Sequence, residues 1–238
     1  MSGDPYIDLD TGVLRNRLGI ADAAELAQAE SELTSYRLIE LRRTGLSGRY
    51  DLAHLQAFHR YIFGDLYDWA GELRSVSIGK GDLFCLPQYL GPFAEDMFGK
   101  LARAGHLRGL ERAAFVDGLT ALLADVNALH PFREGNGRTQ RAFLAQLARD
   151  AGHPIRWARM DPTVNVVASQ AAHRGNNGPL RAMLNELVDD TVDAREVPGE
   201  RAPASEAPTV VRGFEAPAPR MPGDNEPRRR PGRGNTSA

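Results

Sequence analysis

The sequence predicts an all-α domain that carries one small β-hairpin. Three observations predict it. Apolar residues recur at three- and four-residue intervals through most of residues 1 to about 194. Cap signals punctuate these runs, with an Asp or Asp-Pro before a run and a Gly after it. One stretch, RSVSIGKGDLF at 74–84, replaces the helical period by alternation around a glycine-rich turn.

The elements follow in order. DAAELAQAESELTSYRLIELRRTG opens on Asp22 as N-cap and stops near Gly45. DLAHLQAFHRYIF starts at Asp51 and sets Leu52, Leu55, Phe58, His59, Ile62 and Phe63 on one face. In the hairpin, Val76 and Ile78 alternate with polar neighbours, the turn runs through Gly79-Lys80-Gly81-Asp82, and Leu83 and Phe84 resume the strand. The series Phe115, Val116, Leu119, Leu122, Leu123, Val126, Leu129 predicts a long buried helix ending at His130, because Pro131 disfavours helical geometry in the residue before it. TQRAFLAQLARDAG resumes helical spacing and ends at Gly152. Asp161-Pro162 and then Pro179 open two further helices.

From about Arg195 the composition shifts to Pro, Gly, Ala and Arg. Val210, Val211 and Phe214 are too few to build a core, so 195–238 is expected to be a disordered tail behind a 1–194 domain. Its basic cluster, Arg228, Arg229, Arg230 and Arg233, leaves three readings open: a solvated extension, weak nucleic-acid binding, or an export signal. Sequence-specific nucleic-acid reading is not expected without interleaved aromatics.

Charge and cysteine content exclude several classes. A net charge of -2 gives no reason to expect a polyanion-binding protein as a whole. One cysteine, Cys85, cannot form an internal disulfide and is read as a packed thiol. No window approaches the ~20 apolar residues of a membrane span, and the N-terminus lacks a secretory signal. The expected compartment is the cytoplasm, with no membrane partner. His54, His59, His106, His153 and His173 lack metal-ligand spacing and read as packed or capping residues.

Chemistry concentrates in HPFREGNGRTQR, residues 130–141. The stretch joins the end of one helix to the start of the next, where unpaired N–H groups and the dipole favour an anion. Gly135 and Gly137 permit close backbone approach and φ > 0, and Asn136 can add a side-chain donor. Arg138 and Arg141, three apart, share a helix face suited to phosphate oxygens. Two arginines and a nest exceed what one carboxylate needs, so a polyphosphate is expected. Glu134 suits a Mg²⁺ that bridges phosphates, and His130 suits a proton acceptor near neutral pH. Together they read as phosphoryl or nucleotidyl transfer.

This string matches every defining position of the Fic signature, His-x-Phe-x-(Asp/Glu)-Gly-Asn-Gly-Arg-x-x-Arg. YIFGDLYDWAGELRSVSIGKGDLF resembles the Fic region leading into the active-site flap, so the resemblance spans about residues 33 to 190. It implies the Fic helical bundle, and it implies transfer of AMP from ATP to a hydroxyl on a target protein. His130 would be the base and Glu134 the Mg²⁺ ligand. Gly135, Asn136 and Gly137 would form the anion hole, with Arg138 and Arg141 on the phosphates and Phe132 anchoring the loop. Ser77, Ile78, Gly79, Lys80 and Gly81 would form the flap that holds the target as an added strand. The intact carboxylate and Gly-Asn-Gly triplet favour AMP transfer over phosphate or phosphocholine transfer.

The inhibitory pattern Ser/Thr-x-x-x-Glu-Gly/Asn is absent. SELTSYRLIE comes nearest, but Ser35 and Glu40 are five apart where the pattern requires four. The chain therefore resembles a class I Fic toxin restrained by a separate small antitoxin, and such toxins modify type II topoisomerases. Two other readings stand beside it: an effector exported through a type IV secretion system, and a catalytically silent nucleotide-binding module.

Overall fold

The computed structural model describes residues 3–80 and 82–189. The helices are α1 (Ala23–Thr44), α2 (Leu52–Phe63), α3 (Leu90–Arg103), α4 (Arg112–Leu129), α5 (Asn136–Asp150), α6 (Pro162–His173) and α7 (Gly178–Leu187); the strands are β1 (Gly79–Lys80) and β2 (Asp82–Leu83). The fold class is all-α with a minimal hairpin, as expected. The tail from about Arg195 lies outside the described residues.

Local sequence accounts for the starts of α1, α2 and α6 and for the end of α1. Asp22 accepts the N–H groups of Ala24 and Glu25, and Gly45 ends α1 at φ 65°. Asp51 caps α2 through His54 N–H. Asp161 caps α6 with Pro162 in its first turn. Each such cap is worth about 1 kcal/mol.

α4 is the central helix. Phe115, Val116, Leu119, Val126 and Leu129 are fully buried, and the helix contacts α3, α5, α6 and α7. α5 packs on α1, α2 and α4, with Phe143, Leu144 and Leu147 inward. Fully burying each such side chain contributes roughly 1.5–3 kcal/mol. Cys85 is partly buried against this core, as its reading as a packed thiol required, and burial raises its pKa.

Three expectations need correction. Residues 3–22 contain no helix; an Ile7–Leu14 bridge organises them. The period of α3 is obscured in the sequence by Gly91, Pro92 and Gly99, yet the helix buries Leu90, Ala94, Met97, Phe98 and Leu101. In the hairpin, the pairs are Gly79↔Leu83 and Lys80↔Asp82, so Gly79, Lys80 and Asp82 pair where a turn is expected, while Leu83 is strand as expected. Beyond that ladder Phe84 N–H donates to Ile78 O at 3.1 Å, and the flanks bond to the body of the domain through Arg74 N–H to Pro131 O and Cys85 N–H to Ala128 O, both 2.9 Å.

Candidate active site

α4 ends on His130, which takes a left-handed conformation, φ 42° and ψ 60°. This is uncommon for a non-glycine residue. The turn lets Pro131 leave the helix and aims the loop back toward α5. Phe132, 1% exposed, anchors that loop by stacking on His59 at 3.9 Å between centroids.

The loop is closed by Asn136. Its Oδ1 accepts Phe132 N–H at 2.9 Å and its Nδ2 donates to Phe132 O at 2.7 Å. The carbonyl oxygen and one amide N–H of that side chain are therefore taken up inside the loop, which leaves its second N–H as a donor. Gly135 has φ 79°, and a Cβ there would fall on the Phe63 ring, so both the backbone and the space favour glycine. Gly137 lies within the first turn of α5 without positive φ, so its requirement is close approach alone.

A cavity of about 640 Å³ opens against this loop. His130, Glu134, Gly135, Asn136, Gly137 and Arg141 line one side. Ser77, Ile78 and Gly79 of the hairpin line another, and α6 with Trp157 supplies the far wall. The His130 ring lies parallel to Phe84, 3.8 Å away at 6°. Of the remaining flap residues, Lys80 pairs by backbone and Gly81 lies outside the described residues.

Only one of the two motif arginines lines this cavity. Arg141 lines the cavity and makes no hydrogen bond or ion pair with the described residues; burial first, and the Arg138 charge second, lower its pKa. Arg138 is not in the cavity wall. It pairs with Glu30 of α1, donates to Thr34 Oγ1 at 3.1 Å and sits 4.8 Å over the Phe63 ring. A carboxylate on α1 thus holds Arg138 out of this cavity wall, whereas Arg141 lines it. Glu30 also accepts the Tyr67 hydroxyl hydrogen bond.

Glu134 fits a single-carboxylate metal site. Its Oε1 accepts Gly135 N–H at 2.8 Å and lies 3.6 Å from Arg138 Nη2. Oε2 has no hydrogen-bond partner among the described residues, and the side chain lines the cavity. No cage of three or more His, Cys, Asp or Glu side chains occurs among those residues. A bridging cation would therefore draw most of its ligands from phosphates and water.

Several positioning groups were not visible in the sequence. His59 is fully buried; Gly71 N–H donates to its Nδ1 at 2.8 Å, so Nε2–H donates to Glu134 O at 3.0 Å. Burial, with the Arg138 and Arg60 charges, pushes its pKa down to about 4 despite the Glu134 carbonyl. The packed reading of His59 holds, and its ring also bonds the Glu134 carbonyl. His173 departs from it, since it lines the cavity and meets Phe84 edge-on at 5.9 Å. Asp4 pairs with Arg133 at the cavity mouth, 2.8 Å. Arg74 donates to His130 O at 2.8 Å. None of these carried a sequence signal beyond residue type, because each partner is distant along the chain.

The Fic/DOC family model matches residues 49–148. The chain is 42% identical over 196 residues to "Protein adenylyltransferase VbhT" of Bartonella schoenbuchensis, covering 82% of this chain and 41% of that protein. It is 39% identical over 187 residues to "Probable protein adenylyltransferase y4lH" of Sinorhizobium fredii, covering 78% of this chain and 96% of that one. Among solved structures it resembles the type IV secretion system effector protein BepA, with TM-score 0.71, 29% identity and coverage of 78% and 68%. A BepC structure with bound AMPPNP from Bartonella tribocorum has TM-score 0.71 at 22% identity, covering 77% of this chain and 96% of that one, and shows the shared fold.

Proposed function

The chain belongs to the Fic/DOC family, and from that premise we propose that it is a protein adenylyltransferase, moving AMP from ATP to a hydroxyl of a target protein. One observation carries this reading. A single cavity gathers His130, Glu134, the Gly135–Gly137 helix start and Arg141, with the hairpin along its edge.

The chemistry assigned to these residues is as follows. His130 takes the proton of the target hydroxyl. The hydroxyl oxygen forms a bond to the α-phosphorus, the bond from that phosphorus to the oxygen bridging to the β-phosphorus breaks, and pyrophosphate leaves. The backbone N–H groups at the start of α5 and the Arg141 guanidinium hold the phosphate oxygens. Arg138 is assigned to the Glu30 contact instead. Mg²⁺, held through Glu134, would supply charge neutralisation on the phosphates. Gly79, Lys80 and Gly81, with Ser77 and Ile78 beside them, would pair with the target backbone.

A separate antitoxin is the proposed restraint, on the pattern of class I toxins. Glu40, the nearest approach to an internal inhibitory glutamate, bonds Arg37 at 2.9 Å and Tyr61 at 3.2 Å, not Arg141. A type II topoisomerase is the proposed target class on resemblance alone. Site of action in the cytoplasm is proposed with it; no helix among the described residues is long and apolar enough to cross a membrane.

Incubation with labelled ATP and a bacterial lysate tests the activity. The wild-type chain is expected to label protein, and His130→Ala to lose ~10²–10⁴-fold while still binding ATP. Undiminished labelling by the variant would remove His130 from the mechanism.

A further inference from the structure

Arg74 is 2% exposed, yet no carboxylate among the described residues pairs with it. All three donor nitrogens of its guanidinium bind backbone carbonyls. Nε donates to His130 O at 2.8 Å, Nη1 to Val76 O at 2.7 Å, and Nη2 to Cys85 O. Val76 precedes the hairpin and Cys85 follows it, so one planar group closes the neck of the flap and fastens it to the end of α4. Burial lowers the pKa of this group. Arginine nevertheless stays protonated in proteins.

A buried charge is costly, and an apolar side chain of similar volume would fill the space at lower cost. What a hydrocarbon lacks is a fork that reaches carbonyls on three chain segments at once. The flap needs such a tie. Its ladder is two residues on each side, and a hairpin of that length does not hold its own pose in water. Its neck contributes a Phe84 N–H to Ile78 O bond of 3.1 Å, and Cys85 N–H binds Ala128 O at 2.9 Å.

His130 needs the same tie for a different reason. Its left-handed backbone persists only where surrounding contacts impose it. Arg74 fixes its carbonyl and Phe84 lies flat on its ring. Phe84 immediately precedes Cys85, whose carbonyl Arg74 grips. The base and the flap thus share one fastening.

We propose that Arg74 is a positioning residue that locks the neck of the flap to the backbone of His130, so that a target segment docked on the hairpin presents its hydroxyl in register with the base. The proposal rests on the adenylyltransferase reading for its consequence, and on the geometry alone for the lock.

The test uses the full chain with Arg74→Met and Arg74→Lys, followed by melting temperature, ATP binding by calorimetry, labelled AMP transfer to lysate protein, and hydrogen exchange at residues 77–79 and 83–85. Arg74→Met should bind ATP within about threefold of wild type. Its flap amides should exchange at least tenfold faster, and transfer should fall by ~10²-fold, the cost of a misplaced reacting group. Arg74→Lys keeps the charge and part of the bonding, and should recover part of both losses; it also judges the proposal where the methionine variant does not fold. Phe84→Leu should lose transfer non-additively with either Arg74 variant, since both act on one lock. Wild-type flap exchange in an Arg74 variant would overturn the lock, as would a transfer loss that only follows reduced melting and ATP binding. If the wild type itself transfers no AMP, the functional reading fails, while the exchange rates still decide the lock.

Discussion

Gly135 and Gly137 look alike in the motif, and the structure makes their substitution by alanine diverge. A Cβ on Gly135 would lie 2.2 Å from Phe63 Cζ and 2.3 Å from Cε2, where contacts under 3.0 Å essentially never occur. Phe63 is fully buried, stacked on His59 at 4.7 Å and covered by the Arg138 guanidinium, so its ring has no room to swing away. Left-handed geometry costs a non-glycine residue ~1–2 kcal/mol, and overpacking a filled core adds ~1–3. Gly135→Ala should therefore lose about 3 kcal/mol. For a domain of this size that lowers the melting temperature by ~6–12 °C. A Cβ on Gly137 meets only Arg141 Nη1, at 3.2 Å, which can shift. Gly137→Ala should melt within a few degrees of wild type, since alanine in a helix gains up to ~1 kcal/mol over glycine. Its labelled AMP transfer should nonetheless fall at least about tenfold, because the methyl displaces Arg141, the proposed phosphate ligand, and blocks backbone approach. Thermal unfolding by circular dichroism and the transfer assay separate the two effects. Adding Phe63→Leu to Gly135→Ala should cost less than the sum of the single changes. Equal melting of the two alanine variants would refute the reasoning, as would strict additivity with Phe63→Leu.

Three further outcomes follow from the geometry. His59, with a folded pKa of about 4 against an ordinary 6.5, stays neutral while the unfolded chain takes up a proton; stability should be flat above pH 6.5 and fall by up to roughly 3 kcal/mol as pH drops to 4. An NMR titration of the ring checks this, and a midpoint near 6.5 would contradict it. Glu30→Gln should lower the unfolding free energy by ~1–2 kcal/mol, since it weakens charge-assisted bonds to Arg138 and Tyr67 that are largely shielded from water. It should also raise the Mg²⁺ needed for half-maximal transfer, because Arg138 is then left to Glu134 at 3.6 Å; urea unfolding and a Mg²⁺ titration of transfer test the two parts, and an unchanged unfolding midpoint would show the contact to be incidental. Deleting residues 195–238 should leave transfer unchanged, because the described core closes with an Ile155–Val188 bridge; loss of activity would place part of the tail in the catalytic domain.

The sequence by itself determined the features whose causes lie within a few residues. Asp22, Asp51 and Asp161 start helices because a side-chain oxygen meets N–H groups two or three residues on. The base, the acid and the helix start share twelve consecutive positions, so their chemistry was legible before any fold was known. Helical spacing also placed Arg138 and Arg141 on one face, but spacing cannot say which partner waits there. Glu30, far off in sequence on α1, turns Arg138 from the cavity and leaves Arg141 in it. Arg74 meets the carbonyl of His130 across 56 positions, and His59 meets that of Glu134 across 75. Hydrogen bonds to backbone carbonyls ask for no particular residue at the accepting position, so they leave no mark there in the sequence. The neck of the hairpin is likewise bonded to the domain at Pro131 and Ala128, contacts that alternation along its strands does not reveal. Packing of α1, α2 and α4 around α5 brings these partners within reach, and only the folded chain contains that information.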